Sequence, residues 1–159
     1  MLAVGHVMLY TRYTQALRRV LDAGTIGDIV SIQHLEPVGF WHQAHSFVRG
    51  NWRNEAESSF MLLAKSCHDI DWIRYIMGER CEAVSSFGTL KHFRQEEKPV
   101  EAGQALRCTD CEHEPNCPYS APKLYLGNLE RGNTGWPVNI LTHDTTEAGV
   151  MDALRSGPY

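Results

Sequence analysis

Ser59-Phe60-Met61-Leu62-Leu63-Ala64-Lys65-Ser66-Cys67-His68-Asp69-Ile70-Asp71-Trp72-Ile73-Arg74-Tyr75-Ile76-Met77 has the spacing of one long helix. Phe60, Leu63, Cys67, Ile70 and Arg74 recur three and four residues apart and form a stripe. Leu62, Ile73, Ile76 and Met77 widen it. An apolar surface this broad predicts a buried helix, so its polar residues carry information. Ser58 or Ser59 can cap its start, and Gly78 ends it.

The flanking segments predict strands. Ile29-Val30-Ser31-Ile32-Gln33-His34-Leu35 is rich in β-branched residues. Cys81 to Leu90 reads the same way, as does the opening run Leu2 to Leu9. A second helix is predicted from Tyr13 to Ala23, with Tyr13, Leu17, Val20 and Leu21 at helical spacing and Gly24 beyond its end. Together these elements predict an α+β fold. A mixed or antiparallel sheet carries helices on one face, and the sheet is incomplete. Near the end, Asp144-Thr145-Thr146-Glu147 has the form of a capping box opening a helix through Leu154 and Arg155.

Composition narrows the classes of function. The chain has 159 residues, 43% hydrophobic and 21% charged, which suits one soluble domain with its own core. A net charge of -4 gives no basis for a nucleic-acid or anionic-membrane partner. No apolar run approaches the roughly 20 residues that span a bilayer, and no signal-peptide pattern opens the chain, so a cytoplasmic setting is expected.

Two blocks carry candidate chemistry. In the first, Lys65, His68 and Trp72 align on one helical face, with Asp69 four residues after Lys65. An ammonium beside an imidazole suits proton transfer near neutral pH. The same residues also suit a plain reading, in which Lys65 and Asp69 form a solvated helix pair and His68 is a core histidine. The irregular segment from Glu36 to Glu57 holds Trp41, His42, His45, Arg49, Trp52 and Arg53, a concentration that points to a functional loop.

The second block is Cys108-x2-Cys111-x5-Cys117 with His113 inside it. Three thiols and an imidazole have partial zinc-ligand spacing, with His92 as a further fourth ligand. Two readings stand: a structural zinc knuckle, or three reduced cysteines in a loop. An odd total of five cysteines argues against a secreted disulfide framework.

Asn51-Trp52-Arg53, a spacer, and then Cys67-His68-Asp69-Ile70-Asp71 resembles the Gfo/Idh/MocA oxidoreductase family. Gly24-Thr25-Ile26-Gly27-Asp28-Ile29-Val30 resembles the junction between that family's two domains. The resemblance implies an NAD- or NADP-dependent oxidoreductase acting on a CH–OH group of a sugar or polyol, homo-oligomeric when complete. It implies His68 as acid/base, Lys65 as proton relay or substrate anchor, and Trp52, Arg53, Asp71, His34 and Glu36 as pocket residues. The family's usual acid four residues before the histidine is Ala64 here, and its glycine segment is Glu57-Ser58-Ser59.

No Gly-x-Gly-x-x-Gly occurs in the chain, and Glu97-Lys98-Pro99 lies after the histidine helix, not before it. The expectation is therefore a partial substrate and oligomerisation domain over residues 13–159, with a Cys-rich insertion at about 104–121 and a cofactor-domain remnant at 1–12. Alone, such a chain is expected to be inactive. The competing expectation is a non-catalytic oligomerisation or interaction subunit.

Overall fold

The computed structural model describes residues 5–158. Among them the α-helices run Arg12–Asp22 (α1), Phe40–Gln43 (α2), Met61–Ala64 (α3), Cys67–Met77 (α4), Ala121–Glu130 (α5), Val138–Leu141 (α6) and Glu147–Ser156 (α7). A π-helical turn, Ala44–Val48, continues α2. Short 3₁₀ turns are scattered through the remainder.

Among the described residues there is no strand, so the expected α+β sheet is not present. Residues 29–35 and 81–90 have no regular secondary structure. A strand is defined by hydrogen bonds to a neighbour, and β-branched composition supplies only a backbone preference. Without a neighbour the apolar side chains stay in solvent: Val30 is 94% exposed and Phe87 96%. The predicted opening strand fares likewise. Residues 2–4 lie outside the described part, and Val7–Tyr10 is a 3₁₀ turn.

The chain divides into two compact units. Unit 1 comprises the residues up to Pro37 together with Ser59–Phe87. Here α1 starts where the Thr11 side chain accepts from the Thr14 amide, and it ends before Gly24, whose φ of 66° suits a residue without Cβ. The predicted long helix is interrupted at Lys65 and Ser66, which divide α3 from α4. Gly78, at φ 72°, caps α4.

The buried face of α4 is also not the predicted one. Asp69, Trp72 and Ile76 are buried, while Phe60, Leu63 and Ile70 are about half exposed. Trp72 decides this. Its indole N–H donates to Thr14 Oγ1 at 2.8 Å, and its ring packs against His34 with centroids 5.3 Å apart. A large ring with a polar edge is buried where that edge finds an acceptor.

Unit 2 comprises Val38–Ser58 together with the residues from Gly88 on. Its core is Ala121 and Tyr125 from α5, Val138 and Leu141 from α6, and Val150 and Leu154 from α7. Thr146 caps α7 by accepting from the Gly149 amide. Asp144 in turn accepts from the Thr146 amide and hydroxyl, which holds its carboxyl below the ordinary range. Gly149 is required here, because a Cβ would collide with Asp144. Gly50 is equally constrained, since a Cβ would meet the His45 carbonyl.

Candidate functional site

The interruption between α3 and α4 is what builds the site in unit 1. Ser66, at φ -100° and ψ 11°, breaks the helical path just after Lys65, and Lys65 does not pair with Asp69 four residues on. Its ammonium instead meets Glu36 Oε1 at 2.6 Å. Asp69, in the first turn of α4, points inward and is only 3% exposed. Its Oδ1 accepts from His34 Nε2 at 2.9 Å.

The other oxygen, Asp69 Oδ2, is buried and makes no hydrogen bond. His68 Nε2 lies 3.4 Å from it. His34 lies in the irregular segment 29–35, along which Ile32 and His34 are half-buried while Ser31, Gln33 and Leu35 are exposed. That period of two sends the imidazole inward even without a sheet. Unit 1 therefore gathers His34, Glu36, Lys65, His68 and Asp69. The ligand atoms of His34, Glu36 and Asp69 all lie within 4.8 Å of one another.

Asp71 is placed differently. Its Oδ2 contacts His6 Nδ1 at 3.1 Å, and it lines a cavity of about 410 Å³ with Leu9, Arg74 and Tyr75. Trp52 and Arg53 belong to unit 2. Trp52 stacks against Phe47 with centroids 6.0 Å apart. Arg53 donates to the Pro158 carbonyl at 3.1 Å and lies 3.8 Å from Glu57.

The cysteine block is split between two cavities of unit 2. Cys108 and Cys111 line one of about 310 Å³ with Glu112 and Glu114. Cys117 and His113 line another of about 520 Å³, together with His92. Among the described residues, the grouping of three potential metal ligands within 4.8 Å is the His34 set, not the cysteine set.

The plain pairing of Lys65 with Asp69 is replaced by two long-range contacts, Lys65 with Glu36 and Asp69 with His34. A family model described as the GFO/IDH/MocA C-terminal domain matches residues 14–108, more than half of the chain. The chain belongs to the GFO/IDH/MocA family. No curated protein and no solved structure matches it. The match takes in the whole unit 1 cluster of this GFO/IDH/MocA domain and ends at the first cysteine of the block.

Dinucleotide binding was part of the family expectation, and the residues present do not fit it. A pyrophosphate is cradled by a Gly-rich turn between a strand and a helix. The chain has no such glycine pattern, and the described residues form no strand. No helix among the described residues is long and apolar enough to cross a membrane.

A buried polar network in unit 2 was not foreseen as a unit. His45 Nδ1 and the Tyr125 hydroxyl are 2.7 Å apart, with both residues buried. Arg49 sits over the Tyr125 ring, 5.8 Å from its centroid, and donates to the Tyr119 carbonyl at 2.8 Å. Burial, then the charge of Arg49 and then His42, push the His45 pKa down to about 4. Burial pushes the Tyr125 phenol up. His45 and Arg49 were visible in the aromatic loop, but Tyr125 lay 80 residues from His45 in an ordinary helical run.

Proposed function

We propose that this GFO/IDH/MocA domain is the substrate-binding portion of an oxidoreductase acting on a CH–OH group of a sugar or polyol. The observation that carries this reading is the gathering of Lys65, His68 and the Asp69–His34 pair in unit 1. Lys65, steadied by Glu36, presents N–H donors to a substrate hydroxyl. His68 holds or releases the hydroxyl proton. Asp69, fixed by its hydrogen bond to His34, lies 3.4 Å from His68 Nε2, close enough to orient its ring. Oxidation of the carbon needs a nicotinamide cofactor, NAD or NADP, that the residues described here do not hold.

Saturation-transfer NMR of the chain against a panel of sugars and polyols tests the reading. Contact with at least one polyhydroxylated compound is expected. Lys65→Met should weaken it about tenfold or more, the loss expected of a charge-assisted hydrogen bond. A wild-type chain that contacts none of the panel sinks the proposal.

A second reading, a non-catalytic self-association subunit, is favoured by the exposed apolar residues of the unladdered segments, Val30, Leu35, Val84 and Phe87. Sedimentation velocity separates the two. A dimer that Phe87→Asp dissolves supports this reading, and a monomer at all concentrations removes it.

A further inference from the structure

The Asp69 carboxylate poses a question that proton transfer does not answer. It is buried, and one of its oxygens lacks a hydrogen bond. Buried carboxylate oxygens are normally satisfied, and an exception needs a physical account. Asp69 also belongs to a group of three potential ligands: one of its carboxylate oxygens, a ring nitrogen of His34 and a carboxylate oxygen of Glu36 all lie within 4.8 Å of one another. Lys65 supplies one fixed positive charge against the two carboxylates.

We propose that His34, Glu36 and Asp69 form a site for a divalent transition-metal ion. The donor set is one imidazole and two carboxylates, which suits ions of Mn(II) or Zn(II) type. Metal bonds of about 2.1 Å place neighbouring donors about 3 Å apart. The 2.9 Å separation of His34 Nε2 from Asp69 Oδ1 matches that edge. Trp72 packs on the His34 ring and fixes its orientation, as a ligating imidazole requires. Lys65 acts as the competing cation: its ammonium holds Glu36 until the ion displaces it. The site does not depend on the oxidoreductase reading, because binding is measured without turnover.

Mn(II) is the probe, since the thiolates of the cysteine block prefer softer ions. The chain is titrated with Mn(II), and the free-ion electron paramagnetic resonance signal reports binding. One ion per chain is expected. Glu36→Gln should weaken binding at least about tenfold, the loss expected even of an outer-sphere partner. Glu36 is exposed, so this change leaves the fold intact, as circular dichroism verifies. Lys65→Met should tighten binding by removing the competing charge. Cys111→Ser with Cys117→Ser should change nothing. The proposal is overturned if neither wild type nor Lys65→Met binds Mn(II), if binding survives Glu36→Gln unchanged, or if the cysteine variant abolishes it.

Discussion

Unit 2 buries a continuous apolar cluster around Tyr125, contributed by three helices. Among its described residues unit 1 buries Thr14, Asp69, Trp72 and Ile76, half of them polar. Apolar burial gains stability with little demand on direction, at about 25 cal/mol per Å² removed from water. Polar burial gains little net and requires each partner to be in place. The two units are held by different means. Unit 2 is built as a packed core with a polar pair attached, whereas unit 1 is built around specific polar contacts. The cluster containing His34, Lys65, His68 and Asp69 lies in the unit with the thinner core, where side chains are placed by directed bonds.

Removing the centre of unit 2 is the strongest way to break this comparison. Tyr125→Ala should cost about 4 kcal/mol, the range for deleting a buried aromatic ring. Urea unfolding followed by hydrogen exchange measures it. Amides of α5 and α7 should lose protection while those of α4 keep theirs. Equal loss in α4 would mean that both units unfold as one.

Acid sharpens the comparison through His45. Its pKa is pushed down to about 4 in the folded chain, against 6.5 for the free side chain. The unfolded chain therefore takes up the proton first. This contribution to stability is complete above pH 6.5 and is lost as pH falls from 6.5 towards 4, amounting to about 3 kcal/mol. Urea midpoints at pH 7, 5.5 and 4 trace it for unit 2. His45→Gln should flatten the dependence, and a slope that survives this change assigns the effect to another group.

The smallest expected effect lies in unit 1. Trp72→Phe keeps a ring beside His34 but removes the indole N–H that Thr14 accepts. Losing that buried bond should cost about 2 kcal/mol. Near-ultraviolet circular dichroism against urea follows it. A loss below about 0.5 kcal/mol, the usual range for surface changes, would show that packing and not the polar contact holds unit 1.

Much of the helical layout was legible from local residues. The end of α1 before Gly24, the Gly78 cap and the opening of α7 within residues 144–147 appear where the sequence pattern puts them, although the cap of α7 is Thr146, two residues beyond the Asp144 of the capping box. His34, Glu36, Lys65 and His68 were also visible as candidates, and the structure brings all four into unit 1. The strands were not legible in the same sense. Residues 29–35 and 81–90 have strand composition, but a ladder needs a second segment, and composition names none. The buried face of α4 was misread because apolar count favoured the Phe60 stripe, whereas Trp72 and its partners turned the other face inward.

The sequence by itself determined the ends of α1 and α4 at Gly24 and Gly78, because capping and glycine conformations act across about four residues. It also determined the family, through a pattern spread along residues 14–108. Only the tertiary structure decided that Asp69 meets His34, 35 positions away, that Lys65 meets Glu36, and that Tyr125 meets His45. Such pairings depend on where the chain returns in space, and that is set by burial of distant side chains against one another, not by neighbours in sequence.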